Sequence, residues 1–128
     1  MPVIYEIDAD KGIRRTRCVG DVKVQEVVDH FRTLAQDPKA HELANVLLDL
    51  SELTSLPSAS HLLSVTSEMK KVRDRVPVGA CAIVADREAL FGMMRMFEVM
   101  AGNFFRVVQT FRTVAAAEAW LSSQSEKA

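Results

Sequence analysis

Asn45-Val46-Leu47-Leu48-Asp49-Leu50, followed by the loop Ser51-Glu52-Leu53-Thr54-Ser55-Leu56-Pro57 and then Ser58, is the stretch that decides the fold. A short apolar run bounded by turn residues reads as a strand covered on both faces, the pattern of a parallel sheet. The loop leads into a helix. Ser58 caps well, Pro57 cannot continue a helix backwards, and Leu62, Val65, Met69 and Val72 recur at helical spacing. Pro77 is expected to end that helix. Val78-Gly79-Ala80-Cys81-Ala82-Ile83-Val84 then repeats the strand pattern, with small side chains that let a helix pack close. Strand, helix and strand in this order imply parallel strands joined by a right-handed crossover.

Toward the C-terminus, Asp86 is expected to cap a third helix running from Arg87 to about Gly102. Phe105 to Phe111 reads as a strand. Thr113 caps a last helix that buries Val114, Ala117, Trp120 and Leu121, and the polar stretch 122–128 is expected to fray. Toward the N-terminus, Val24, Val27, Val28, Phe31, Leu34 and Ala35 mark an amphipathic helix stopped by Asp37-Pro38. Gly20-Asp21 is a candidate cap for it. Ile13 to Val19 alternates apolar with basic residues and pairs with Val3–Ile7 across the turn Asp8–Gly12, where Gly12 can take positive φ. The expected order is β-β-α-β-α-β-α-β-α. This is an α/β fold with a five-stranded mixed sheet, mostly parallel with an antiparallel first strand, and helices on both faces.

The chain has 128 residues, 48% apolar and 26% charged, which suits one folded domain spanning 1–128. The net charge of −1 gives no field to gather nucleic acid, and the basic cluster Lys70, Lys71, Arg73 and Arg75 reads as a solvated helix end. Cys18 and Cys81 form no C-x-x-C pair and are expected to be free buried thiols. His30, His41 and His61 are not spaced as metal ligands, and there is no glycine-rich phosphate loop or nucleophile elbow. No cofactor, metal or catalytic centre is expected. The opening Met1–Glu6 lacks a signal-peptide pattern, and the apolar run Val78–Ala85 is too short to span a bilayer. A reducing, bacterial-type cytoplasmic setting is expected.

Three stretches carry a family resemblance. Val46-Leu47-Leu48-Asp49-Leu50-Ser51 with Ser58-Ala59-Ser60 resembles the strand-loop-helix of STAS domains, the sporulation anti-sigma-factor antagonist class. Ala82-Ile83-Val84-Ala85 with Phe91 to Glu98, and Val108 to Phe111 with Ala116 to Leu121, extend the likeness over most of the chain. Together they resemble the small stand-alone SpoIIAA-like proteins, whose fold is related to the CRAL-TRIO lipid-binding domains. The resemblance implies a regulatory domain in which a helix-opening serine, here Ser58, is phosphorylated to switch a protein partner. The sequence departs from that motif: Pro57 stands in place of its aspartate, Ala59 of its second small polar residue and Ser60 of its glycine.

Two candidate sites follow. Asp49, Ser51, Ser58 and Ser60 gather at strand and helix ends, where α/β sheets bind ligands or partners. Asp49 and Ser58 also have plain structural readings, as the holder of the loop turn and as a helix cap. The third helix holds four of the six methionines: Met93, Met94, Met96 and Met100. It carries more apolar surface than one buried face needs. Its excess can pack on the preceding helix, form a homodimer seam, or line a cavity for an apolar small molecule or lipid. The cavity reading names Leu56, Leu62, Met93, Met96, Phe97 and Met100, with the loop around Leu56 as a lid or a peripheral membrane contact. The leading expectation is a non-enzymatic binding module, with a regulatory protein–protein interaction domain as the alternative.

Overall fold

A computed structural model describes residues 3–38, 45–72, 79–102 and 104–126. The elements are β1 (Val3–Asp8), β2 (Ile13–Cys18), α1 (Val24–Gln36), β3 (Asn45–Asp49), α2 (Ala59–Lys71), β4 (Ala80–Val84), α3 (Glu88–Met100), β5 (Val107–Phe111) and α4 (Val114–Glu126). They form a five-stranded sheet in the order β1-β2-β3-β4-β5. β1 is antiparallel to β2, and all other neighbours are parallel. The expected class, element order and mixed sheet are all present. His41, Arg73, Arg75, Pro77 and Val78 lie outside the described residues.

The strands follow one another across the sheet, so three right-handed crossovers place α1, α2 and α3 on the same face. α4 returns over the other face, against β3, β4 and β5. β4 lies between, and each of its residues is at most 1% exposed. Its side chains split by alternation. Cys81 and Ile83 join the core under α2 and α3, while Ala80, Ala82 and Val84 meet Ala117 and Leu121 of α4.

The turn glycines do what their chemistry allows: Gly12 and Gly20 take φ of +65° and +75°. Gly20 is not part of a helix cap. It bridges to Leu53, donating to the Glu52 carbonyl and accepting from the Thr54 amide. Lys23 is the N-cap of α1, and its amide donates to the Glu26 carboxylate at 2.9 Å. Asp86 is not the cap of α3 either. Arg87 holds that position without a side-chain cap, and its guanidinium reaches across to the Leu53 carbonyl. Thr113 does cap α4, accepting from the Ala116 amide at 3.2 Å. α4 continues to Glu126 with Gln124 buried, so 122–126 supply its last turns, and 127–128 lie outside the described residues.

Candidate functional site

The β3–α2 loop is tied down from three sides. Asp49 accepts from the Ser51 amide at 3.0 Å and from the Ser51 hydroxyl at 2.7 Å, which closes the turn. The Gly20 bridge joins the loop to the end of β2, and the Ser55 hydroxyl accepts from the Val22 amide at 3.2 Å. Arg87 fixes the Leu53 carbonyl. Leu53 is thereby buried while Leu56, three residues on, is 55% exposed.

At the start of α2, Ser58 accepts from the His61 amide at 3.3 Å, and His61 Nδ1 accepts from the Ser58 amide at 3.3 Å. This is a capping box with histidine in the place of the usual glutamate. The Ser58 and Ser60 hydroxyls lie 3.0 Å apart, and both residues are exposed. Asp49, Ser51, Ser58 and Ser60 therefore all have structural partners within this rim. Asp49 performs the turn-holding role and Ser58 the capping role.

Below the rim lies a cavity of about 150 Å³ between the sheet and α1, α2 and α3. That is the size of an engineered apolar cavity that takes up benzene. Val46, Leu48 and Leu50 of the β3 segment form its floor, and Leu62, Val65 and Met69 of α2 line one wall. Val27, His30 and Phe31 of α1 line another. A second space of about 390 Å³ adjoins it and shares Val22, Val27, Ser55, Pro57, Leu62 and Val65. Its walls include the exposed residues Asp21, Lys23, Leu56 and His61, so it reaches the surface.

The cavity is not where the methionine pattern put it. Of the six residues expected to line it, only Leu62 and Phe97 do, and Leu56 lines the outer groove. Met93 and Met100 are half-buried and pack against the core formed by Leu90, Met94 and Phe97. Met96 is 44% exposed and Val99 84%, on the outer side of α3. α1 shares the cavity with α2, while α3 lies closer to β5 and gives the cavity only Met94 and Phe97. The extra apolar residues of α3 thus divide between core packing and an exposed outer face.

What the sequence pattern missed is polar. Arg14 and Thr16 of β2 are 4% and 3% exposed, and both line the cavity. Arg14 Nε and Nη1 and Thr16 Oγ1 are buried with no hydrogen-bond partner among the described residues. Burial pulls the Arg14 guanidinium below its usual value. Burial, and then the Arg14 charge, bring His30 down to about 4, so its imidazole is neutral at pH 7. The His30 ring packs edge-on against Tyr5 at 5.5 Å, and Tyr5 donates to Asp37. Cys18 and Cys81 are free and buried, their thiols pushed up to about 11 and about 12 by burial, which makes them poor nucleophiles. A signal for Arg14 was available. Counting back by twos from Cys18 puts Thr16 and Arg14 on the same strand face as that apolar thiol.

No family model and no curated protein matches the chain. Solved structures do. An anti-sigma factor antagonist from Mycobacterium paratuberculosis aligns with a TM-score of 0.57 at 15% identity, over 93% of this chain and 92% of that one. An uncharacterized protein with a SpoIIAA-like fold from Shewanella loihica aligns with a TM-score of 0.59 at 18% identity, over 93% and 91%. The chain therefore has a SpoIIAA-like, STAS-type α/β fold. Among the described residues no helix is long and apolar enough to cross a membrane, and no cluster of candidate metal ligands is found.

Proposed function

We propose that this protein is a non-enzymatic binding module that holds a small apolar or amphipathic molecule between the sheet and the α1–α2 pair. The observation that carries the reading is the cavity of about 150 Å³ and its continuation into the surface groove. A close-packed interior leaves few voids larger than a water molecule, so a space of this size under two helices is suited to an occupant. Native mass spectrometry of the protein purified from its own host tests it. A co-purifying mass should be lost on denaturation and absent from Val65→Phe, which fills the passage between cavity and groove. Equal retention by wild type and by a folded Val65→Phe variant would place the bound molecule elsewhere and end this reading.

A second reading rests on a different feature, the exposed pair Ser58 and Ser60 at the opening of α2. One protein of like fold is an anti-sigma factor antagonist, which supports a regulatory protein–protein contact at this rim. A helix N-terminus welcomes added negative charge, so a phosphate on Ser58 would be held there without unfolding the helix. Ser58→Asp should change capture of a protein partner relative to Ser58→Ala. Identical capture by both variants and wild type would remove the switch.

A further inference from the structure

Arg14 is the least expected residue in the core. An arginine is almost never fully buried unless paired. Here two guanidinium nitrogens and the Thr16 hydroxyl, two residues along the same strand face, are buried without acceptors or donors among the described residues. Leaving such groups unsatisfied is costly, and a buried unpaired charge more so. Both residues face a cavity whose other walls are almost wholly apolar. An acceptor of negative charge inside the cavity would satisfy all three atoms.

Three features narrow that acceptor. The first is valence. Among the described residues Arg14 is the one cationic side chain lining the cavity, because His30 is held neutral beside it. A single negative charge balances it, whereas a dianion would leave one charge buried and unpaired. The second is polarity. Valine, leucine, methionine and phenylalanine make up most of the remaining lining, so the body of the molecule is hydrocarbon. The third is direction. Arg14 sits near the start of β2, and Ser55 and Pro57 lie at the opposite, loop end of the strands. From Arg14 to Cys18 the strand rises roughly 13 Å at about 3.3 Å per residue. A bound molecule would lie along that run with its charged end innermost and its tail toward the groove.

We infer that the cavity takes an amphipathic carboxylic acid, whose carboxylate is held by Arg14 and Thr16 and whose hydrocarbon body points to the surface groove. This deepens the binding-module reading and rests on it. Arginine suits the role because its guanidinium stays charged and carries several donors in a fixed plane that matches a carboxylate. Thr16 Oγ1 donates a further hydrogen bond to the same group.

The test uses decanoate and decanol, which share an alkyl chain and differ in the head. Isothermal titration at pH 7 should show wild type binding decanoate at least tenfold more tightly than decanol. Arg14→Met should lose that preference while still binding decanol, and should melt no lower than wild type without ligand, since it removes unsatisfied donors. Arg14→Lys should keep part of the preference. Wild type binding decanol as tightly as decanoate would overturn the carboxylate assignment and leave the binding module intact. A preference for decanoate that survives Arg14→Met would also overturn it, by placing the head elsewhere, for instance at Lys23 in the groove. Failure of wild type to bind either compound would remove the binding-module reading itself, with water alone left to partner Arg14 and Thr16. Should Arg14→Met fail to fold, nitrogen NMR of the arginine side chains in wild type decides the matter. The Arg14 Nε signal should move with decanoate and stay with decanol, and a signal unmoved by decanoate overturns the inference.

Discussion

The two faces of the sheet are covered in opposite ways. Under α4, Ala80, Ala82 and Val84 of β4 meet Ala117 and Leu121, all at most 1% exposed and all apolar. The small β4 side chains let the helix come close. Under α1 to α3, the same sheet presents Arg14, Thr16 and Cys18 beside Val46 and Leu48, and the helices leave about 150 Å³ unfilled. One face spends its side chains on packing, whereas the other keeps polar atoms and empty volume in its core. Close packing and open volume thus lie on opposite sides of one sheet.

The largest effect that can test this contrast is a pair of matched truncations. Leu121→Ala removes a fully buried side chain from the packed face and should cost about 3–5 kcal/mol, because a tight site cannot collapse around the hole. Leu62→Ala removes a buried side chain that already borders open volume, and should cost about 2–3 kcal/mol. Urea denaturation of both variants gives the comparison. Equal losses would mean that the two faces are packed alike.

Acid comes next. Folding holds His30 at about 4, below its ordinary 6.5, so the unfolded chain binds more protons between those values. Stability is therefore full above pH 6.5 and falls as pH drops toward 4, by about 2–3 kcal/mol from this group. The groups that face it are Tyr5 from β1 and Arg14 from β2. Wild type and His30→Gln should differ in the slope of stability against pH across that window. Parallel curves would mean that the imidazole is solvated and the cavity wetter than its lining suggests.

Smaller still is the Ser58 cap. Ser58→Ala should cost about 1 kcal/mol, and Ser58→Asp should cost almost nothing, since aspartate caps as well as serine. A thermal melt checks both. The smallest effect compares two orphan hydroxyls. Among the described residues Thr110 Oγ1 is buried without a partner on β5, away from the cavity, while Thr16 Oγ1 faces it. Thr110→Val should raise stability by about 1 kcal/mol and Thr16→Val by less, because a group facing open volume has room for a partner. An equal gain at both sites would say that the cavity gives Thr16 nothing.

The resemblance and the patterning agreed on the architecture because both rest on short-range rules. The apolar run Asn45–Leu50, the small-residue run through Ile83 and the helical spacing of Leu62, Val65 and Met69 each name their own element. The alternating order then leaves the crossover rule few sheets to choose from. Ser58 as a cap and Asp49 as a turn holder were legible for the same reason, since both bond within three residues. Asp86 misled, because an aspartate before an apolar run looks like a cap from sequence alone, and the cap position fell one residue later, at Arg87.

The cavity was not legible, and the methionines of α3 pointed to the wrong helix pair. Periodicity says which face of a helix is apolar but not how far that helix stands from its neighbour. That distance depends on side chains contributed by three elements at once. Sequence alone thus determined the elements, their order, the mixed sheet, the Ser58 and Thr113 caps and the Asp49 turn. Tertiary structure alone decided that α1 and α2 leave volume open around Arg14 and Thr16, and that Met96 faces out. Local chemistry acts between near neighbours in the chain, whereas a void and an orphaned charge exist only where distant segments meet.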